Sequence, residues 1–377
     1  MLNRRRILFL VTEDGYFCSH RLPIAREAKR KGFDVLVATR VRNHGKQIER
    51  EGFKLIPIGM SRTGMNPLKE LATLWELVRL YKTAKPDIVH HVAMKPVLYG
   101  SLAAWISKVP YVVNALAGLG YVFTSNQWKA VLLRKMTSKA FRILLNRPNS
   151  RVILQNPDNR NLMVRLRILN LKSTVLIRSS GVDTQSFFPT PEPPGITTVL
   201  LASRMLWDKG IGEFVEAARL IRDKGIDVRF ILAGDTDPEN PAAVPPYQLE
   251  AWNRGGVVEW WGRRENMAEV FTQAHIVCLP SYYGEGVPKV LIEAAASGLP
   301  IVTTDVPGCR ETVLHGKNGL LVPVRSAIEL AAALERLIRD PVLRREMGAH
   351  GRELAVSEFS IEKVVNQTLA LYQELAA

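Results

Sequence analysis

The feature that most constrains this chain is a rhythm. Short apolar runs of strand length alternate with segments of helical period, and the rhythm runs twice. In the first half RRILFLVTEDG, DVLVATR, KLIPIGM and DIVHHVA read as strands, with RVILQN and TVLIRSSG after them. Between them lie helix-like segments such as RLPIAREAKRKG, stopped by Gly32, and NPLKELATLWELVRLYKTAK. Alternation of this kind specifies parallel strands joined by crossover helices. The proline-rich FFPTPEPPG marks a linker near residues 186–195, after which ITTVLLASRM, DVRFILAGD, VVEWWG, AHIVCLPS, PIVTTDV and GLLVPV resume the pattern. The spacing therefore predicts an α/β protein of two doubly wound units in series, 1–188 and 195–358, followed by a C-terminal helical segment, 359–377. In such sheets ligands sit beyond the carboxyl ends of the strands, so the loops there carry the candidate chemistry.

Composition agrees with two cores of ordinary size. The chain has 377 residues, 47% of them hydrophobic and 23% charged, which excludes a disordered chain. The longest apolar runs, such as PYVVNALAGLGYVF at 110–123, contain glycine and are too short to span a bilayer. The apolar run at the start is only a strand's length, and Glu13 and Asp14 follow at once, so a secretory signal is not expected. Cys18, Cys278 and Cys309 are few and far apart, which fits neither a disulfide framework nor a zinc site and points to a reducing cytoplasm. The net charge of +15 is uneven. Residues 1–190 hold 32 Lys and Arg against 11 Asp and Glu, a balance of +21, whereas 191–377 hold 19 against 25, a balance of −6. The basic half needs an anionic partner.

Two constellations fall in strand-end loops. In SYYGEGVPKVLIEAAASG, Glu285 sits in the loop after AHIVCLPS, Pro288 suits the first helical position and Gly298 suits the stop. Glu293 follows eight positions later, inside the helix. Taken alone, Glu285 also reads as a helix cap favoured by the macrodipole, and Glu293 as an ordinary outward-facing residue. Gly284, Gly286 and Pro288 make the pair informative, because glycines let a ligand approach the backbone at a helix N-terminus. In ASRMLWDKG, which precedes a helix beginning near Ile211, Arg204 and Lys209 can bracket a diphosphate; the alternative is two surface cations with Asp208 as local partner. Gly234 and Asp235, in the loop after the next strand, again permit close approach.

These motifs carry a resemblance. ASRMLWDKG, GDTDPEN, SYYGEGVPKVLIEAAASGLPIVTTDVPGCRETV and HGKNGLLVPV together resemble the carboxyl-terminal domain of the family 4 retaining glycosyltransferases, over about residues 196–324. The resemblance implies the GT-B fold, two Rossmann-like domains facing a central cleft, with the C-terminal helix packing back on the first domain. It implies that Glu285 holds hydroxyls of a donor sugar, Glu293 the ribose of its nucleotide, and Arg204 and Lys209 its diphosphate, with Val287 and Pro288 beside them. SHRLPI, SRTGMNPLKEL, HVAMKPVLYGSLAA and NALAGLGYVF are similar to the members that extend sugars on polyprenyl diphosphate. This implies an N-terminal acceptor domain, with His20, Arg21 and Lys95 on the acceptor or phosphate side. His90 and His91, placed at a strand end, read equally as loop histidines. The implied reaction moves a hexose or N-acetylhexosamine from a nucleotide donor, UDP-linked by resemblance, onto a polyprenyl diphosphate-linked glycan in surface polysaccharide or glycoprotein glycan assembly. No cofactor or metal is implied, since no Asp-x-Asp motif stands at a strand end and Arg and Lys take the cation's place.

The acid-free interval from Ile88 to Pro157 holds nine Lys and Arg. Within it NQWKAVLLRKMTSKAFRILLN interleaves Trp128, Val131, Leu132, Met136, Phe141 and Leu145 with cations. This suits a helix in an anionic membrane interface, a peripheral location on the inner face of the cytoplasmic membrane, and equally a core helix with one solvated basic face. Two other readings compete. A nucleotide-sugar epimerase shares the architecture but needs no acceptor. A nucleic-acid-binding protein would explain the basic half, but no nucleic-acid motif accompanies the cations, so no nucleic-acid partner is expected.

Overall fold

The computed structural model describes residues 5–61, 66–124, 128–282, 284 and 286–376. The chain divides into two compact units, one formed by Met1–Ser180 with Glu362–Ala377 and the other by Gly181–Ile361. Among the described residues the first unit holds one parallel sheet of β1 (Arg6–Glu13), β2 (Asp34–Arg40), β3 (Lys54–Pro57), β4 (Ile88–Val92), β5 (Tyr111–Leu116), β6 (Ser150–Leu154) and β7 (Thr174–Leu176). Their spatial order is 3-2-1-4-5-6-7. The second unit holds β8 (Thr198–Ala202), β9 (Arg229–Ala233), β10 (Glu259–Gly262), β11 (Ile276–Leu279), β12 (Ile301–Thr304) and β13 (Gly319–Val322), in the order 10-9-8-11-12-13. Each sheet reverses its order once, between β1 and β4 and between β8 and β11. Those switch points are where a doubly wound sheet opens a crevice at the strands' carboxyl ends.

The strand sequences explain the layering. Ile7 to Leu10 in β1 and Ile276 to Leu279 in β11 are buried without alternation, because helices cover both faces of a parallel sheet. In the second unit Phe214 of the helix Ile211–Asp223 meets Phe230 of β9 edge to face at 5.3 Å. The proline-rich stretch packs on this unit. Glu192 pairs with the buried Arg344 at 2.8 Å, and the Pro193 carbonyl lies 3.0 Å from His275 Nε2.

One helix, Pro341–Phe359, is not apparent in the sequence pattern. Gly348 and Gly351, which argue against a helix interior, are the reason it packs. A Cβ at Gly348 would lie 1.9 Å from the Gly298 carbonyl oxygen, and one at Gly351 would meet Ala295. The glycines thus let this helix lie directly on the end of the helix Lys289–Ala296.

His90 and His91 are not loop histidines. Both lie inside β4 and are buried, and their rings point to opposite faces as strand geometry demands. His91 Nδ1 faces Asn114 Oδ1 at 2.8 Å, so it carries the proton and leaves Nε2 to accept from the Tyr81 hydroxyl at 3.0 Å. Burial depresses the His91 pKa to about 4. His90 Nδ1 lies 2.5 Å from the Tyr372 hydroxyl, on the helix Ile361–Ala376. Tyr372 also meets Phe33 edge to face, and Arg5 donates to the Ala376 carbonyl. Removing the hydroxyl leaves a buried ring nitrogen without a partner, so Tyr372→Phe should lower unfolding stability by about 1–3 kcal/mol in urea titration. A midpoint equal to wild type would show that this bond does not hold the helix.

Candidate active site

In the second unit, three strand-end loops meet backbone to backbone at the switch point. Gly210 ends the loop after β8 with φ 76°, and a Cβ there would lie 2.2 Å from the Pro280 carbonyl oxygen in the loop after β11. Gly234, at φ 143°, would put a Cβ 1.8 Å from the Ser203 carbonyl oxygen. Its small size is therefore required by the neighbouring loop. Met205 N–H donates to the Asp235 carbonyl at 2.9 Å, and Tyr282 N–H and the Ser281 hydroxyl both donate to the Asp208 carbonyl at 3.1 Å. The Thr304 hydroxyl, on β12, bonds the Ser281 carbonyl.

This frame carries the candidate side chains. Arg204 is half exposed, and Asp237 holds its guanidinium at 2.5 Å. Asp237, absent from the sequence reading, is a partner of Arg204. Lys209 is half-buried at the end of the short turn Trp207–Lys209. Gly286, Val287 and Pro288 are buried and Gly284 half-buried. Pro288, expected as the first helical residue, is instead the N-cap, one position before the helix begins at Lys289, with ψ 120°. Glu285 lies outside the described residues.

Glu293 is not outward-facing. It is 7% exposed, and Lys289 Nζ lies 3.1 Å from its Oε1. Lys at i and Glu at i+4 is the less favourable order along a helix, with the cation in the first turn. Helix stability therefore does not explain the pair. Burial pushes the Glu293 carboxyl up from its usual range, and Lys289 opposes the shift.

In the first unit, Asp14 ties together the segments that follow β1 and β2. Its carboxylate accepts from the backbone N–H groups of Gly15, Arg42 and His44 at 2.7–2.8 Å. Burial works against ionisation there, and the three N–H groups outweigh it, so the pKa is lowered. His20 ends the helix Asp14–His20, stacks on Tyr16 at 4.0 Å and has Nδ1 2.6 Å from the Ser19 hydroxyl. Arg21 is buried; its Nη1 donates to the His20 carbonyl while Nε has no protein partner. Lys95 is the second residue of the helix Met94–Ile106 after β4, whose N-cap Ala93 holds φ 78° and ψ 165°, a region nearly reserved for glycine. Lys95 Nζ donates to Glu70 Oε1 at 2.6 Å and to the Ser61 carbonyl at 2.9 Å. Glu70 was not legible as its partner, since nothing local in the sequence links positions 70 and 95.

The comparisons agree with this geometry. Residues 196–340 match the family model described as glycosyl transferases group 1, and residues 6–156 match one described as glycosyl transferase 4-like. The chain is a glycosyltransferase that carries both of these family domains. It is 28% identical, over 98% of its length and 99% of the relative's, to N,N'-diacetylbacillosaminyl-diphospho-undecaprenol alpha-1,3-N-acetylgalactosaminyltransferase of Campylobacter jejuni. It is 27% identical, over 82% of its length and 80% of the relative's, to UDP-Gal:alpha-D-GlcNAc-diphosphoundecaprenol alpha-1,3-galactosyltransferase of Escherichia coli. Among solved structures, sucrose-phosphate synthase of Thermosynechococcus elongatus superposes with a TM-score of 0.80 at 23% identity, covering 99% of each chain. Anabaena HepE in complex with UDP and glucose gives 0.77 at 19%, covering 98% of this chain and 100% of that one. These likenesses establish the GT-B glycosyltransferase fold for this enzyme.

A raised carboxyl means that the native glycosyltransferase holds the Glu293 proton more tightly than the unfolded chain does. Stability is therefore lost as pH rises from the ordinary Glu range through the native value, and the ionised carboxylate opposes folding at neutral pH. Glu293→Gln should unfold at the same or a higher temperature than wild type at pH 7.5, with the gap narrowing as the pH falls toward about 4. A variant less stable than wild type at pH 7.5 would show that the carboxylate is a structural partner of Lys289.

Proposed function

We propose that this glycosyltransferase moves a hexose or N-acetylhexosamine, with retention at the anomeric carbon, from a UDP-linked donor to a polyprenyl diphosphate-linked glycan. The buried Glu293 carboxylate carries the reading: it costs stability at neutral pH and lies on the helix that follows β11 at the switch point, where a nucleotide's ribose hydroxyls can donate to it. Arg204 and Lys209 lie in the loop after β8, whose backbone is bonded to that of the β11 loop. A guanidinium held by Asp237 is preorganised, so it can meet a diphosphate without reorganising in the transition state. In a front-face transfer the acceptor hydroxyl attacks the anomeric carbon on the face from which the diphosphate leaves. The bond from that carbon to the diphosphate oxygen breaks, a new bond to the acceptor oxygen forms, and the departing diphosphate takes the hydroxyl proton. The residues that matter most are then the cations that stabilise charge on the leaving group, in place of a divalent metal. Glu285 is proposed for the sugar hydroxyls, Gly284, Gly286 and Val287 for backbone contacts, and His20 and Arg21 for the acceptor. Lys95 reaches a phosphate only alongside Glu70, so it acts as half of a pair. The acceptor proposal rests on the two relatives, each named for an α-linked product on a lipid diphosphate.

The test is thermal unfolding with UDP, GDP, dTDP, ADP or no ligand, joined to turnover. UDP at 100 times its dissociation constant should stabilise the native state by about 2.7 kcal/mol, and Glu293→Gln should abolish that shift. Lys209→Ala should lower kcat by roughly a hundred- to a thousandfold with the unfolding midpoint unchanged. Absence of any nucleotide shift, or full turnover in Lys209→Ala, would overturn the donor-site assignment.

The acceptor's lipid requires a membrane surface, and we place it against the helix Trp128–Leu144. Among the described residues no helix is long and apolar enough to cross a bilayer. Of the apolar residues expected to face lipid, Phe141 and Leu145 are instead fully buried in the core. Trp128, Val131, Leu132 and Met136 are exposed, and Ile143 extends their stripe. The helix Pro67–Ala84 adds exposed Leu68, Leu71 and Trp75. Each Lys or Arg near an anionic leaflet contributes about 1 kcal/mol. Flotation with phosphatidylglycerol vesicles should recover the enzyme at low salt and lose it as salt rises, and Leu132→Ser with Met136→Ser should weaken recovery. Equal recovery on neutral phosphatidylcholine vesicles would contradict the electrostatic part.

A further inference from the structure

At the amino ends of β5 and β6, opposite the end that carries the candidate site, the first unit contains a cavity of about 420 Å³. Its lining residues all fall between 101 and 150, inside the acid-free interval, and none is a carboxylate. Two cations reach it, Lys108 and Arg147. Among the described residues neither makes an ion pair or a side-chain hydrogen bond; Arg147 instead lies over the Trp105 ring, 5.5 Å from its centroid, which fixes the guanidinium at the cavity wall. Ser150 accepts from Asn114 Nδ2 at 3.2 Å, and Asn114 Oδ1 is already taken by Ser101 at 2.9 Å and by His91. The Ser150 hydroxyl therefore keeps its own hydrogen to donate to a ligand in the cavity. Ala104, Val109, Pro110, Val112 and Leu144 form an aliphatic part of the wall, and the Asn149 amide beside them donates to the Val109 and Pro110 carbonyls.

We infer that this cavity binds the phosphate of an anionic phospholipid headgroup, with the first carbons of the lipid against its aliphatic wall. The inference rests on the membrane reading above. Paired cations and a hydroxyl donor suit any phosphate monoanion, but a free phosphate makes no use of the apolar wall. A lipid does. The surroundings fit that source: Trp105 is 49% exposed and Ile106 43%, and Leu144 ends the helix placed on the membrane. A tryptophan beside cations is the composition of a bilayer's interfacial zone.

The experiment is calorimetric titration of the full chain with dihexanoylphosphatidylglycerol below its micellar concentration, with dihexanoylphosphatidylcholine and with inorganic phosphate. The glycerol lipid should bind saturably and about tenfold or more tighter than either control, and Arg147→Gln and Lys108→Gln should each weaken it about fivefold. Lys108 is exposed, so its variant keeps the test valid if loss of the Trp105 contact disturbs the fold. Leu132→Ser with Met136→Ser should leave this soluble-lipid affinity intact while losing vesicles. Unchanged affinity in both cation variants would overturn the site, even with vesicle recovery still dependent on Leu132 and Met136. Phosphate binding as tightly as the lipid would overturn the lipid as occupant. Soluble lipid bound at the cavity, with vesicle recovery indifferent to Leu132 and Met136, would support the site and remove the helix from the membrane reading.

Discussion

The donor-side loops depend on two backbone contacts that only glycine permits. Gly210 lies against the Pro280 carbonyl and Gly234 against the Ser203 carbonyl, so the loops after β8, β9 and β11 cannot separate without losing the hydrogen bonds that join them. Arg204 and Lys209 stand on the first of these loops, and the helix bearing Glu293 starts at the end of the third. A side chain at either glycine would have to move a carbonyl, and the adjacent backbone would follow. The chemistry of this unit is thus positioned by backbone contact, and the charged side chains inherit their places from it.

That frame lets the site hold a carboxylate against its own interest. Glu293 is desolvated, its single cation sits on the unfavourable side of the helix, and its ionised form opposes folding at neutral pH. Asp14 shows the opposite arrangement in the first unit. It too is shielded from solvent, but less deeply desolvated, and three backbone N–H groups satisfy it and lower its pKa. Asp14 needs no ligand to explain its ionisation. Glu293 has Lys289 as its partner among the described residues, and under the proposed function the hydroxyls of a bound ribose would supply further donors. The same comparison separates Arg21 from Arg204: Arg204 has a carboxylate tether, whereas Arg21 is buried with Nε unpartnered, and burial lowers its pKa.

Most strands were legible because both faces of a parallel sheet are apolar and turn residues bound each run; β2 falls on DVLVATR residue for residue. The strand β5 was hidden because YVVNAL continues without a break into AGLGYVF, and the apolar run reads as one segment. Pro341–Phe359 was hidden for the opposite reason, since Gly348 and Gly351 lower local helix propensity while improving the contact with the helix Lys289–Ala296. At the site, residue types and spacing exposed Glu293, Arg204 and Lys209, because loop position follows from the strand rhythm. Asp237 as the partner of Arg204, and Glu70 as the partner of Lys95, were not legible. Pairing between loops is a property of the folded sheet and leaves no mark at fixed sequence spacing. The basic helix was half legible: interleaved cations and hydrophobes marked it, but Phe141 and Leu145 face the core, and only packing tells an inward residue from an outward one.

The excess positive charge of the first unit acquires a pattern when its cations are sorted by partner. Arg6 has Asp34, Arg26 has Glu51 and Lys95 has Glu70, so these add little field. Arg21 follows β1 in the unit's sequence and, among the described residues, is held without a counter-ion. Lys108 and Arg147 lie at the amino ends of β5 and β6, again without one. If the charge served only solubility, acids could be interspersed from 88 to 157 as they are in the second half of the chain, and exposed pairs would cost almost nothing. Their exclusion from that one interval, which supplies both the outward helix and the whole cavity lining, fits a surface that must meet an extended anion. Under the proposed function, a lipid diphosphate bound for transfer would require positive charge near the chemistry, and the membrane that delivers it would require positive charge elsewhere on the same unit.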